Sequence, residues 1–112
     1  MKLRLSSIEM FPGEKNIVFL APVVTIKLRE CHKRFHDDLK AAGLASDPFY
    51  FPKSWVPHCT ITMDGQLSRS IEIIEMLREE NVFGEYLVSS IQVVELHPVI
   101  NLGTFKLANG DA

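Results

Sequence analysis

The sequence predicts an α+β domain in which helices pack on a largely antiparallel sheet. Three observations favour this class. Apolar residues make up 46% of the chain and aromatic residues 9%, which is enough for a real core. Short apolar or alternating segments typical of strands are interspersed with two segments of helical periodicity. Their order along the chain is β-β-α-β-α-β-β, and 112 residues correspond to a single domain, residues 1–112.

The first two predicted strands form a hairpin. Apolar and charged residues alternate from Leu3 to Met10, and the alternation slips at residues 6–7, which predicts a bulge. Residues 12–13 are Pro-Gly, a turn signal. The nearly continuous apolar run over 16–23 is typical of a strand covered on both faces.

The next segment predicts a helix over residues 25–42. Thr25 is a candidate N-cap and Gly43 a candidate C′ residue. The apolar residues recur every three or four positions and form one stripe: Leu28, Cys31, Phe35, Leu39 and Ala42.

The second half of the chain begins with a loop, residues 45–56, that is rich in proline and aromatic rings. A short strand over 57–63 follows and ends at the Asp64-Gly65 turn. A second helix is predicted over 68–81, with three residues on its apolar side: Ile71, Ile74 and Leu77. Two last strands are predicted, over 86–96 and 102–107, with Pro98 in the turn between them.

Composition excludes several classes of protein. Twelve basic and 14 acidic residues give a net charge of −2, so a broad basic surface for nucleic acid is excluded. The longest apolar run, 17–24, is far shorter than the ~20 residues that span a membrane. Charged residues near the start interrupt any signal peptide, and two cysteines are too few for a disulfide scaffold. We therefore expect a cytoplasmic protein with reduced thiols.

The best candidate for chemistry is the strand that contains His58. Because side chains alternate along a strand, His58, Thr60 and Thr62 share one side, while the intervening Cys59 and Ile61, with Met63, form an apolar side that we assign to the core. An imidazole can transfer a proton near pH 7, and a neighbouring hydroxyl can bind a phosphoryl oxygen. By itself a His-x-Thr pattern is also found in ordinary strands.

The segment 55–61, Trp-Val-Pro-His-Cys-Thr-Ile, resembles the second His-x-Thr motif of the 2H phosphoesterases. This superfamily includes 2′-5′ RNA ligase-like proteins and cyclic phosphodiesterases. The upstream segments 6–12 and 18–22, the helix that follows and the β-α-β-β ending are also similar to this family, so the resemblance covers nearly the whole chain. It implies a bilobal fold in which each lobe supplies one His-x-Thr to a shared cleft.

The resemblance implies specific roles. His58 would transfer a proton and Thr60 would bind the phosphate, with no metal and no cofactor. The substrate would be RNA or a small nucleotide with a cyclic or 2′-5′ phosphodiester. Tyr50, Phe51 and Trp55 are candidates to stack on a base or ribose; the alternative is that these rings only seal the core.

The chain departs from the family pattern because it contains no second His-x-Thr. The other histidines, His32, His36 and His97, are not followed by the required threonine. We therefore expect the N-terminal part of the first lobe to be missing and the lone chain to be inactive or weak. Three explanations stay open: a truncated gene product, a homodimer that brings two His58 residues together, or a non-catalytic remnant that binds a nucleotide or a partner.

Other groups of residues have weaker functional interpretations. His32 and His36 lie four apart on a helix, a spacing that can bind a transition metal, although a partly solvated helix face explains it as well. Cys31 and Cys59 are expected to be small apolar core residues. Four basic residues form either a solvated face or a patch that attracts a nucleotide phosphate: Lys27, Arg29, Lys33 and Arg34.

Overall fold

The computed structural model describes residues 1–13, 15–63, 65–96 and 98–107. Two residues of the sequence analysis lie outside these ranges: Asp64, from the predicted Asp64-Gly65 turn, and His97. The strands in the described residues are β1 (Lys2–Met10), β2 (Val18–Pro22), β3 (Cys59–Thr62), β4 (Gly84–Leu87), β5 (Ser90–Glu95) and β6 (Ile100–Lys106). The helices are α1 (Ile26–Ala41) and α2 (Leu67–Glu79), with a short 3₁₀ helix over Pro48–Tyr50. The predicted α+β class is confirmed.

The main sheet has four strands in the order β3-β2-β1-β4, and every neighbouring pair is antiparallel. The strand β2 lies in its interior, and its residues from Val18 to Ala21 are all buried, as its continuous apolar run predicts. The predicted bulge in β1 is also confirmed, because the pairing register with β2 shifts between Leu5 and Ser7.

The core lies between the main sheet and α2. Leu77 of α2 packs with Val18 and Leu20 of β2. Partly buried apolar residues surround this cluster: Leu5, Ile8, Ile73, Ile74, Val82 and Phe83. The prediction that Ile71 belongs to the apolar side of α2 is wrong, since it is 49% exposed and Ile73 packs in its place.

The ends of α1 agree with the predicted helix. The Thr25 hydroxyl caps the helix by accepting a hydrogen bond from the backbone N–H of Leu28. Gly43 follows the helix with φ of +79°, a conformation that favours glycine. However, α1 contains no buried residue, and Phe35 on its apolar stripe remains exposed. The stripe is therefore only partly covered.

The predicted strand over 86–96 is wrong, because the chain forms two strands there. Residues of β4 pair with β1, whereas β5 pairs with β6 in a separate two-stranded sheet. The chain leaves the first sheet at Val88, whose N–H donates to the carbonyl of Met1, and joins the second at Ser89, whose carbonyl accepts from Leu107. A continuous strand-like sequence does not show that its two halves pair with different partners. None of the helices in the described ranges is long and apolar enough to cross a membrane.

Candidate active site

His58 lies just before β3 and is held by a hydrogen bond within its own segment. Its Nδ1 is 2.6 Å from the carbonyl oxygen of Val56. Because a carbonyl can only accept, Nδ1 must carry the proton. In the neutral ring the lone pair is therefore on Nε2, which is free to take a proton from another group. The backbone thus selects one of the two neutral tautomers of this ring.

Two aromatic rings fix the plane of the imidazole. The rings of Phe11 and Phe19 stack on each other with centroids 4.3 Å apart. The His58 ring meets both of them edge-on, at 5.1 Å from Phe11 and 5.7 Å from Phe19. Since Phe19 is only 2% exposed, the imidazole rests on a buried support while its own side chain stays accessible.

His58 and Thr60 line the same open cavity, as their alternation on the strand predicts. The cavity has a volume of about 430 Å³, which is within the usual range of small-molecule sites. Its other walls come from the connection between β1 and β2, the aromatic loop and the residue after β3: Phe11, Ile17, Phe49, Tyr50, Ser54, Val56 and Met63. A phosphoryl group with an attached sugar or base can enter such a space.

A bulge in β3 changes which side chains accompany His58 and Thr60. Val18 pairs with Thr62 but its neighbour Phe19 pairs with Thr60, so Ile61 is an extra residue in the strand. The alternation therefore inverts after Thr60, and Met63 enters the cavity instead of Thr62.

The predicted core side of this strand is also wrong. Cys59, Ile61 and Met63 are all exposed in the chain. The reason is that β3 is an edge strand, and the buried cluster beneath α2 is centred on β2, its neighbour.

The aromatic loop divides its rings between two places. Tyr50 lines the His58 cavity, together with Phe49, which is 79% exposed. Trp55 instead stacks on His32 of α1, with ring centroids 3.7 Å apart and planes within 4°. Phe51 meets His36 edge-on at 5.1 Å. The structure therefore brings Tyr50 to His58 and places the other two predicted stacking residues, Phe51 and Trp55, against α1.

The two helical histidines both have partners in the loop. Besides its contact with Phe51, His36 places Nδ1 3.2 Å from the Ser46 hydroxyl. Burial, and secondarily the charge of His36, lower the pKa of His32 from its usual 6.5. Within the described residues, no three His, Cys, Asp or Glu side chains are grouped to hold a metal ion.

The sequence analysis missed Phe11, Phe49 and the Val56 carbonyl. The Phe49-Tyr50-Phe51 run is a visible signal for Phe49. The roles of Phe11 and Val56 depend on the pairing of distant strands and on a ring orientation, which no local pattern shows.

Comparison with known proteins identifies a protein family. The family model of the 2′-5′ RNA ligase superfamily matches residues 1–99. No curated protein sequence and no solved structure shows significant similarity to the chain.

Proposed function

Because this chain belongs to the 2′-5′ RNA ligase superfamily, we propose that it cleaves a cyclic or 2′-5′ phosphodiester in RNA or a small nucleotide. The observation that carries this proposal is the shared cavity of His58 and Thr60, together with the Nδ1 hydrogen bond to Val56 that leaves the lone pair of the neutral His58 ring on Nε2. The chemistry is acid-base catalysis by imidazole, and it uses no metal or cofactor.

The reaction needs two proton transfers. A water molecule attacks phosphorus and loses a proton to a base, while the ribose oxygen leaves and gains a proton from an acid. Nε2 of His58 performs one of these transfers. The Thr60 hydroxyl donates a hydrogen bond to a non-bridging phosphoryl oxygen, whose negative charge grows as the water adds. Tyr50 and Phe49 offer ring faces for a base.

The other proton transfer requires a second group. Of the histidines that the structure describes, only His58 lines this cavity, since His32 and His36 are engaged with the aromatic loop. We propose that the second imidazole comes from another copy of the chain. The competing proposal, a remnant that binds nucleotide without turnover, is favoured by the same single imidazole.

The test is hydrolysis of a 2′,3′-cyclic mononucleotide by wild type and two variants. His58→Asn keeps a donor for the Val56 carbonyl and removes Nε2, so we expect kcat to fall by about 10²–10⁴-fold. Thr60→Val keeps the shape of the side chain and removes the hydroxyl, and we expect a loss of about 10–100-fold in kcat/KM, as for a hydrogen bond to a charged group.

The matched control is Thr62→Val, which removes the next hydroxyl along β3, outside the cavity. We expect it to retain activity. Equal rates for wild type and His58→Asn would refute the catalytic assignment. Binding of the cyclic nucleotide without measurable hydrolysis by wild type would support the remnant.

A further inference from the structure

A second cavity lies between the aromatic loop and the first half of α1. Its volume is about 270 Å³. The loop contributes Pro52 and Trp55, and the helix contributes Arg29, His32 and Lys33 among its walls. The proposed reaction at His58 makes no use of this cavity, which we call the α1 cavity.

The α1 cavity contains a rigid aromatic surface. Trp55 and His32 are stacked almost in parallel, so the indole ring is held in one orientation by the helix. The proline ring of Pro52 supplies a further apolar wall. A held indole beside apolar groups is the kind of surface on which a nucleobase stacks, because every base has a flat π face.

The same cavity carries positive charge in an acidic protein. Its walls contain two basic residues, Arg29 and Lys33, and one acidic residue, Glu30, whereas the whole chain has a net charge of −2. Arg29 forms no ion pair with any residue that the structure describes. Lys33 is 2.6 Å from Asp37 and remains 65% exposed. A guanidinium is suited to a phosphate, since its donors match two phosphate oxygens.

The two cavities adjoin the same short stretch of chain. Trp55 lines the α1 cavity, and the next residue, Val56, lines the His58 cavity. The Cα atoms of Trp55 and Val56 are only about 3.8 Å apart, because a trans peptide bond joins these residues. A strand of nucleic acid bound at His58 can cross this stretch and place a neighbouring nucleotide against α1.

We infer that the α1 cavity binds one nucleotide of an RNA strand, with its base against Trp55 and its phosphate on Arg29. This inference rests on the proposed function, and it makes an oligonucleotide the preferred substrate over a mononucleotide. Glu30 also lines the cavity and repels the phosphate. The affinity for the nucleotide therefore depends on the opposing charges of Arg29 and Glu30.

Binding can be measured without catalysis, because Trp55 is the only tryptophan. Titration of His58→Asn with adenosine 5′-monophosphate should quench Trp55 fluorescence, and adenosine should bind more weakly. We expect Arg29→Gln to weaken the nucleotide about tenfold and Glu30→Gln to strengthen it, as expected for a phosphate next to these charges. The matched control is Arg34→Gln, which removes the same charge from α1 outside the cavity.

Activity provides a second measurement. Arg29→Gln should raise KM for a short RNA ending in a 2′,3′-cyclic phosphate and leave KM for the cyclic mononucleotide unchanged. Equal effects of Arg29→Gln and Arg34→Gln on binding would overturn the inference, and so would inorganic phosphate that binds as tightly as the nucleotide. If wild type has no hydrolytic activity but the binding results hold, the nucleotide site stands and only the proposed reaction fails.

Discussion

At the scale of single residues, the protein holds its imidazoles in two different ways. His58 has a backbone acceptor on Nδ1, T-shaped contacts with the rings of Phe11 and Phe19, and a place in the wall of an open cavity. His32 has a parallel indole over its face and a neighbouring histidine. The first arrangement leaves the lone pair of the neutral ring on Nε2, whereas the second lowers the pKa of the ring. This difference agrees with a catalytic role for His58 and a structural or binding role for His32.

The environment of His32 predicts a pH-dependent stability. Burial and His36 lower the pKa of His32 below its usual 6.5, so below pH 6.5 the unfolded chain binds more protons than the folded one at this residue. The stability that the His32 ring contributes is therefore lost as the pH falls from 6.5 to the pKa of His32 in the folded protein. Below that pKa it does not change further. We expect the free energy of unfolding, measured with urea, to fall less between pH 7.5 and 5.5 in His32→Gln than in wild type.

The residue-specific measurement is an NMR titration of the His32 ring, which should give a pKa below 6.5. The lowered pKa of Asp37, caused mainly by its hydrogen bond from Lys33, affects stability only near and below its usual 3.8, outside this pH window. A His32 pKa above 6.5 would contradict the prediction and would show that the indole face stabilises the imidazolium.

At the scale of elements, sequence reasoning succeeded where one local signal decides the structure. The apolar run of β2, the slip in β1 and the cap of α1 each have a local cause and were predicted with their approximate bounds. Sequence reasoning failed where the structure of an element depends on which other element it pairs with. Strand pairing places the bulge at Ile61 and separates β4 from β5, and neither event changes the hydrophobic pattern of the sequence.

The candidate site shows the same division. Local alternation predicts that His58 and Thr60 share a cavity, and they do. It does not predict which rings of the aromatic loop turn toward that cavity, because the histidines of α1 compete for them. The contacts of His32 with Trp55 and of His36 with Phe51 depend on how a distant helix lies beside the loop.

The attachment of α2 to the sheet depends strongly on one side chain. Leu77 is the buried apolar residue of α2, 6% exposed, and it packs on Val18 and Leu20. We expect Leu77→Ala to lower the free energy of unfolding by about 2–5 kcal/mol, through lost burial and the cavity that it leaves. Its neighbour Met76 is 53% exposed, so Met76→Ala should cost no more than about 0.5 kcal/mol. Urea unfolding measures both, and similar values for the two variants would contradict this account of the core.

At the scale of the whole molecule, the single chain exposes an unusually large surface. Its accessible area is 8496 Å², whereas a compact monomer of this mass exposes roughly 6,200 Å². The Cα radius of gyration is 15.5 Å, against about 13 Å for a compact domain of this length. The difference in area exceeds the ~800 Å² that one partner buries in a standard interface. The surface of one chain therefore has room for a partner.

The β5–β6 hairpin offers an apolar face for such contact. The register places Phe105 opposite Ile91 and Gly103 opposite Val93, so the side chains of Ile91, Val93 and Phe105 lie on one face. Phe105 is 60% exposed. We propose a second copy of this chain as the partner for this face.

The homodimer predicts a mass of twice 12.7 kDa in light scattering coupled to size exclusion. Phe105→Lys places a charge in the apolar face, so it should yield monomers. Thr104→Lys adds the same charge on the opposite face of the hairpin, where Thr104 pairs with Gln92, and should stay dimeric. A wild-type monomer at high protein concentration would contradict the dimer. A wild-type dimer that Phe105→Lys leaves intact would place the interface elsewhere, and an active monomer would mean that His58 transfers protons without a second imidazole.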